Sequence, residues 1–134
     1  MGIRSLVRCG AVLLFAAALL SGGAAGAGAG ESAPELRAGI RYDLYRGVWK
    51  RLPDFDRLTP VESGILHTVT AVPWRHQDNF ALRFRGKIRL PETGAYTFTT
   101  TSDDGSRLSI DDVVVVDHDG LHPATPKSGE RELD

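Results

Sequence analysis

The stretch from Phe80 to Leu90 constrains the fold more than any other part of the sequence, because apolar and basic residues alternate along it. Phe80, Leu82, Phe84, Ile88 and Leu90 share one parity, and Arg83, Arg85, Lys87 and Arg89 share the other. A period of two predicts a β-strand with one face buried and the other in water. A solvated face beside acids on a neighbouring strand explains the basic row, and an acidic polysaccharide partner is the alternative.

Shorter runs on both sides predict further strands and no helix. Alternation resumes at Tyr96 and Phe98 after "PETG", which predicts a hairpin with the Phe80–Leu90 run. A strand is also predicted at Ile40 to Leu44, and a second hairpin joins "SRLSI" to "VVVVD" through Asp111 and Asp112. Between these strands, residues 50–64 predict a loop with one helical turn, and "ILHTVTAVPW" a short irregular strand ending at Pro73. The residues after Asp117 are loop-like. The fold class is all-β, an antiparallel sandwich or barrel.

The first 29 residues have the order of a secretory signal peptide. A segment with two arginines and no acid precedes an apolar run over residues 9–20, and small residues follow, with cleavage expected after Ala25, Ala27 or Ala29. The apolar run is short for a bilayer span, so we expect a secreted, extracytoplasmic protein with no stable membrane insertion after cleavage. Cys9 is expected to be removed with this signal peptide, which is called the leader below. Residues 30–38 are a linker, and residues 39–134 form the domain.

Charge and cysteine content narrow the possible partners. The chain has 16 basic and 17 acidic residues, and removal of Arg4 and Arg8 with the leader leaves 14 basic residues against 17 acidic ones. This balance and export both argue against nucleic acid as a partner. Cys9 is the only cysteine, so no disulfide holds the mature chain, and a packed core or a metal must stabilise it.

From Gly39 to the end of the chain, the sequence resembles the PA14 domain family. The resemblance is carried by "GIRYDLYRGVW", "LPDF", "LTPVESG" and "RHQDNFALRFRGKIRLPETGAYTFTTTSDDGSRLSIDD", followed by "VVDHDGLH". It implies a β-sandwich or barrel-like module of secreted and surface proteins, in many cases one that binds carbohydrate. Family members continue beyond the "SGERELD" segment, so the domain is expected to be truncated, with a partner chain as a source of the missing strands.

Asp103 and Asp104 are the main candidate site. Asp-Gly at 104–105 is a strong turn signal, so an ordinary hairpin turn is one interpretation. The resemblance implies another, because one branch of the family holds calcium on two adjacent aspartates at this position and the ion ligates sugar hydroxyls. Calcium takes about six to eight oxygen ligands, so carbonyls, waters or sugar hydroxyls must complete the shell. Candidate helpers are Asn79, Asp117 and Asp119, for which a strand cap and Asx turns are the alternatives.

Other residues support binding rather than catalysis. His118 and His122 have a zinc-like spacing, but Gly120 and Pro123 argue against the helix that would align them, so exposed loop histidines are expected. Trp49, Trp74, Tyr42 and Tyr45 either stack on sugar rings or pack in the core. No catalytic motif occurs, so the chain is expected to be no enzyme, at most an accessory module of a glycosidase-type enzyme. We expect a carbohydrate-binding module for a glycan or cell-wall polysaccharide, with calcium as cofactor. The alternatives are a structural or protein-interaction module and a truncated product without independent function.

Overall fold

Two antiparallel sheets account for most of the residues that the structure describes. In the computed structural model, the structure describes residues 2–8, 13–15 and 38–134. The strands are β1 (Gly2–Arg8), β2 (Leu13–Phe15), β3 (Ile40–Arg46), β4 (Glu62–Leu66), β5 (Phe80–Lys87), β6 (Gly94–Ser102), β7 (Ser106–Ile110), β8 (Val113–His118) and β9 (Thr125–Leu133). One sheet has the order β4-β3-β5-β1-β7-β8 and the other β2-β6-β9. The all-β antiparallel prediction is confirmed, and the sheets form a layered arrangement rather than a closed barrel.

Apolar faces of both sheets form the core. Phe98 of β6 packs with Leu108 and Ile110 of β7, which joins the two sheets. A second cluster covers β3 and β5 with Ala71 and Trp74, near the 3₁₀ helix Val72–Trp74. A third places Phe55, from the 3₁₀ helix Phe55–Arg57, against Tyr45. The single helical turn predicted for residues 50–64 is thereby confirmed.

The predicted hairpin between the two clearest runs does not form. β5 pairs with β3 and β1, whereas β6 pairs with β9 and β2 in the other sheet. The turn around "PETG" therefore connects the sheets instead of joining neighbouring strands. The β7–β8 hairpin is confirmed, with positive φ angles at Asp111 and Asp112, as a two-residue turn of this kind requires.

Three boundaries differ from the predictions. β5 ends at Lys87, before Ile88 and Leu90. The expected loop after Asp117 holds β9, which pairs along the whole of β6. The irregular strand is β4, which ends at Leu66, well before Pro73. Alternation is weak in β9 because most of its side chains are exposed, so the sequence carries little signal there.

The basic face of β5 is only partly solvated. Arg83 is 9% exposed, while Lys87 and Arg89 are exposed. The prediction of a wet outer face is wrong at Arg83, because the 3₁₀ helix at Phe55–Arg57 supplies Asp56, whose Oδ1 lies 2.7 Å from Arg83 Nη1. The expected pairing with acids is confirmed at Arg85, which contacts Asp43 of β3 at 2.5 Å.

The N-terminal segment contributes backbone to both sheets. β1 lies between β5 and β7, and β2 pairs with β6. Cys9, the candidate cleavage residues Ala25, Ala27 and Ala29, and linker residues 30–37 lie outside the described residues. Signal cleavage therefore stays a prediction. Within the part of the chain that the structure describes, no helix is long and apolar enough to cross a membrane.

Candidate functional site

Asp103 and Asp104 lie at a corner between the two sheets. β6 ends at Ser102 and β7 begins at Ser106, so these aspartates and Gly105 carry the chain from one sheet to the other. A plain hairpin turn is therefore excluded, because β6 and β7 are not paired strands. Three buried hydroxyls support the corner: Ser102 Oγ donates to Ser106 Oγ at 2.8 Å, and Ser106 Oγ donates to Thr100 Oγ1 at 3.0 Å.

The two carboxylates differ in their surroundings. Asp103 is exposed and Asp104 is half-buried, and the peptide bond between them is cis. Asp104 Oδ1 accepts a hydrogen bond from the backbone N–H of His122 at 3.3 Å. The corner is thus tied to the loop between β8 and β9, while Asp103 faces solvent.

Gly105 lets that loop approach the corner. A Cβ at residue 105 would lie 2.9 Å from Gly120 N and 3.0 Å from Asp119 Oδ1, too close for any larger residue. Asp119 is thereby brought next to the aspartate pair. Its Oδ1 also accepts from the backbone N–H groups of Leu52 at 2.7 Å and Gly120 at 2.8 Å. Asp119 therefore holds the site together, with one oxygen occupied by backbone donors.

The other two candidate helpers lie in different surroundings. Asp117 Oδ2 pairs with Arg107 at 3.0 Å, and its Oδ1 accepts from the Asp119 N–H at 3.3 Å. The "DHDG" segment thus makes the Asx hydrogen bonds that its alternative interpretation predicted. Asn79 lies just before β5 at a positive φ of 57°, and its carbonyl accepts from Gly47 N–H at 2.9 Å. It holds the entrance of β5.

His118 and His122 stack instead of pointing into solvent. Their rings lie 3.7 Å apart between centroids with an interplanar angle of 9°. Burial lowers the pKa of His118, and electrostatic interactions with His122 and Lys127 lower it further. His122 Nε2 lies 3.0 Å from the carbonyl oxygen of His118. Both residues are half-buried, so the expectation of exposed histidines is wrong, and their stacking fixes the loop that touches Asp104.

The oxygen donors of the corner suit a hard cation in type but not in number. Within the described residues, no group of three or more histidine, cysteine, aspartate or glutamate side chains is arranged to hold a metal. Asp103 and Asp104 can supply carboxylate oxygens, which calcium prefers. A calcium ion here would need backbone carbonyls, waters or ligand hydroxyls for the rest of its shell, and the exposure of Asp103 leaves room for them.

The aromatic side chains are mostly occupied in packing. Trp74 and Tyr45 are 4% exposed, and they make edge contacts with Tyr42 at 4.8 Å and with Phe55 at 5.1 Å between ring centroids. Tyr42 and Trp49 are half-buried. The alternative that these aromatics pack inside is confirmed for Trp74 and Tyr45.

Sequence reasoning missed a polar cleft on the outer face of the larger sheet. It has a volume of about 350 Å³ and is lined by Asp54, Asp56, Arg83, Arg107, Ser109 and Asp112, among others. The buried Nε of Arg107 has no hydrogen-bond partner among the described residues. The alternation of Arg107 and Ser109 with Leu108 was a signal for this face, but the depth of the cleft depends on Asp54 to Asp56, which come from a distant loop.

Comparison with known proteins identifies the domain. Residues 70–133 match the family model of the PA14 domain. This part of the chain belongs to the PA14 domain family. Residues 39–69 lie outside the match, although their strands β3 and β4 extend the sheet that contains β5 of the PA14 segment. No curated protein and no solved structure matches the chain.

The family assignment indicates a binding role for this domain. A PA14 domain is a binding-type module that is not itself catalytic. Carbohydrate binding and a structural role are both consistent with it.

Proposed function

We propose that the protein is a secreted carbohydrate-binding module in which Asp103 and Asp104 hold a calcium ion that contacts sugar hydroxyls. The observation that carries the proposal is the corner itself. Two adjacent carboxylates, one exposed, sit on a rigid connection between two sheets, and the β8–β9 loop is packed against Gly105. A cation bound between two neighbouring carboxylates would offset the repulsion between their like charges.

The surrounding residues of the protein position the two carboxylates for binding. The buried hydroxyls of Thr100, Ser102 and Ser106 hold the strands on both sides of the corner. The His122 N–H orients Asp104, which leaves Asp103 facing solvent. A calcium ion at this place would offer its remaining coordination positions to vicinal hydroxyls of a glycan or cell-wall polysaccharide.

Thermal unfolding of the full chain in EDTA and then in millimolar calcium tests the cation. A ligand that binds only the folded state stabilises it by about 2.7 kcal/mol at a hundredfold excess over its dissociation constant, so the midpoint must rise. We expect the double variant Asp103→Asn, Asp104→Asn to lose the calcium shift and to lose glycan retention in the same buffer.

The chain offers a matched control for this experiment. Asp111 and Asp112 are also adjacent, exposed aspartates, at the β7–β8 turn, and asparagine tolerates their positive φ angles. The variant Asp111→Asn, Asp112→Asn should keep the calcium shift. If wild type and both variants melt at the same temperature with and without calcium, the cation is excluded. A blank glycan screen together with a co-purifying protein would favour the protein-interaction alternative.

A further inference from the structure

The backbone between β5 and β7 forms a slot for one strand. β1 fills it and runs antiparallel to both neighbours, with seven register pairs to β5 and five to β7. β5 and β7 do not pair with each other in the described sheet. The larger sheet is therefore continuous only while a strand lies in the slot, and the proposed export would remove the segment that now fills it.

The two faces of the slot differ in chemistry. On the core face, its walls are Leu82 and Phe84 of β5 and Leu108 and Ile110 of β7, all of them at most 1% exposed. On the outer face, its walls are Arg83 and Arg107, and the buried Nε of Arg107 lacks a hydrogen-bond partner among the described residues. An occupant suited to both faces alternates apolar residues with hydrogen-bond acceptors.

The leader matches this pattern incompletely. Ser5 lies in register between Phe84 and Leu108, where the walls are apolar. Leu6 lies in register between Arg83 and Arg107, where the walls are cationic. Residues directly opposite each other in a sheet share a face. At these two central positions the leader sequence is therefore the reverse of what the slot favours.

We propose that the slot between β5 and β7 is a strand-acceptor site that, once the leader is removed, takes an extended segment of another polypeptide. The segment runs antiparallel to both β5 and β7. It has an apolar residue at the register position of Ser5 and an acceptor side chain, such as serine or a carboxylate, at that of Leu6. Backbone hydrogen bonds on both edges supply its affinity, and the alternating walls supply its specificity. This inference extends the proposed function, since it depends on removal of the leader but not on calcium or sugar.

A variant of the full chain with a weakened β1 tests the site. Ser5→Pro removes a backbone donor from the middle of β1 and disfavours its pairing on both sides. Two labelled heptapeptides serve as probes: one with the sequence of Gly2–Arg8, and one in which its serine and leucine exchange places. Their composition is identical, so only the pattern differs. We expect saturable binding to the Ser5→Pro chain, followed by fluorescence anisotropy, with the exchanged peptide about tenfold tighter.

Ser32→Pro is the control, because it makes the same substitution outside the described strands. Wild type and Ser32→Pro should bind the peptides much more weakly, since the resident strand competes at high effective concentration. Equal binding to all three chains, or equal affinity of the two peptides, would overturn the proposal. If Ser5→Pro does not fold alone, the exchanged peptide must restore cooperative unfolding, and failure to do so would also overturn it. No calcium or glycan enters this experiment, so its failure is distinct from failure of the proposed function.

Discussion

Gly129 shows how a single residue sets the contact between the two sheets. In the β7–β8 pair, Leu108 faces Val116 and Ser109 faces Val114, so Val115 is an extra, bulged residue. Its carbonyl oxygen points at β9, where a Cβ at residue 129 would collide with it. Only glycine allows β9 to pass this close to the backbone of the bulge.

Gly129→Ala should therefore destabilise the protein by about 1–3 kcal/mol, the usual cost of forcing atoms into a packed site. Gly94→Ala is the matched control, because it also changes a glycine in the β6–β9 pair but its Cβ would meet no atom within 4 Å. That substitution should be neutral or slightly stabilising. Urea unfolding of the three proteins checks the difference, and an unchanged midpoint in Gly129→Ala would refute the close contact.

Asp43 is a buried acid whose negative charge is stabilised by Ser63, Arg85 and Arg41. Burial raises the pKa of this carboxyl, but hydrogen bonds from Ser63 and Arg85 and the charges of Arg85 and Arg41 outweigh burial, so the pKa lies below its ordinary value. The Ser63 hydroxyl donates at 2.6 Å and the Arg85 guanidinium at 2.5 Å. The ionised form is thus the one that stabilises the fold.

The pKa of Asp43 is lower in the folded state than in the unfolded state, where it is about 3.9. Ionised Asp43 therefore stabilises the fold above that pH, and this stabilisation is lost as the pH falls through the folded-state pKa. Asp43→Asn should cost about 1–3 kcal/mol near neutral pH, and the difference from wild type should shrink below about pH 4. Denaturant unfolding at both pH values measures this. Asp54→Asn is the control, because Asp54 pairs with Arg57 at the exposed surface. A pH-independent cost at residue 43 would contradict the ionic explanation.

At the scale of elements, the sequence predicts strands better than strand partners. Alternation identified β3, β5, β6 and β7, because each has an apolar face against the core. The run of four valines identified β8, although only Val116 of that strand is buried. It could not show that β5 and β6 lie in different sheets, since pairing depends on distant residues such as those of β3 and β9. β9 was missed because its side chains are mostly exposed, and what determines its position is the long pairing with β6.

The candidate site shows the same contrast between what local sequence predicts and what depends on tertiary contacts. Asp103 and Asp104 were found from their adjacency and the family resemblance. Asp119 was a candidate helper, but its approach to Gly105 could not be predicted, because it depends on how the β8–β9 loop folds back. The role of Arg107 was missed, since its neighbours Asp117 and Asp119 meet it only in the folded chain. Local sequence patterns therefore identify candidate site residues, while the tertiary structure determines which of them lie in contact.

For the whole molecule, the fate of the leader decides which sheet exists in the exported protein. The order of basic, apolar and small residues predicts cleavage after Ala25, Ala27 or Ala29, and cleavage would remove both β1 and β2. We expect the intact mass of protein recovered from the extracytoplasmic fraction to correspond to a chain that begins at Gly26, Gly28 or Gly30.

Replacement of Ala25, Ala27 and Ala29 by leucine removes the three small residues after which cleavage is expected, so that variant should keep its full mass. A wild-type protein that also keeps residues 2–8 would contradict cleavage and make β1 a permanent strand of the sheet. A cleaved protein would have an open slot between β5 and β7, and faster amide hydrogen exchange along both strands than in the leucine variant would demonstrate it. Added peptide with the exchanged pattern should then restore the protection.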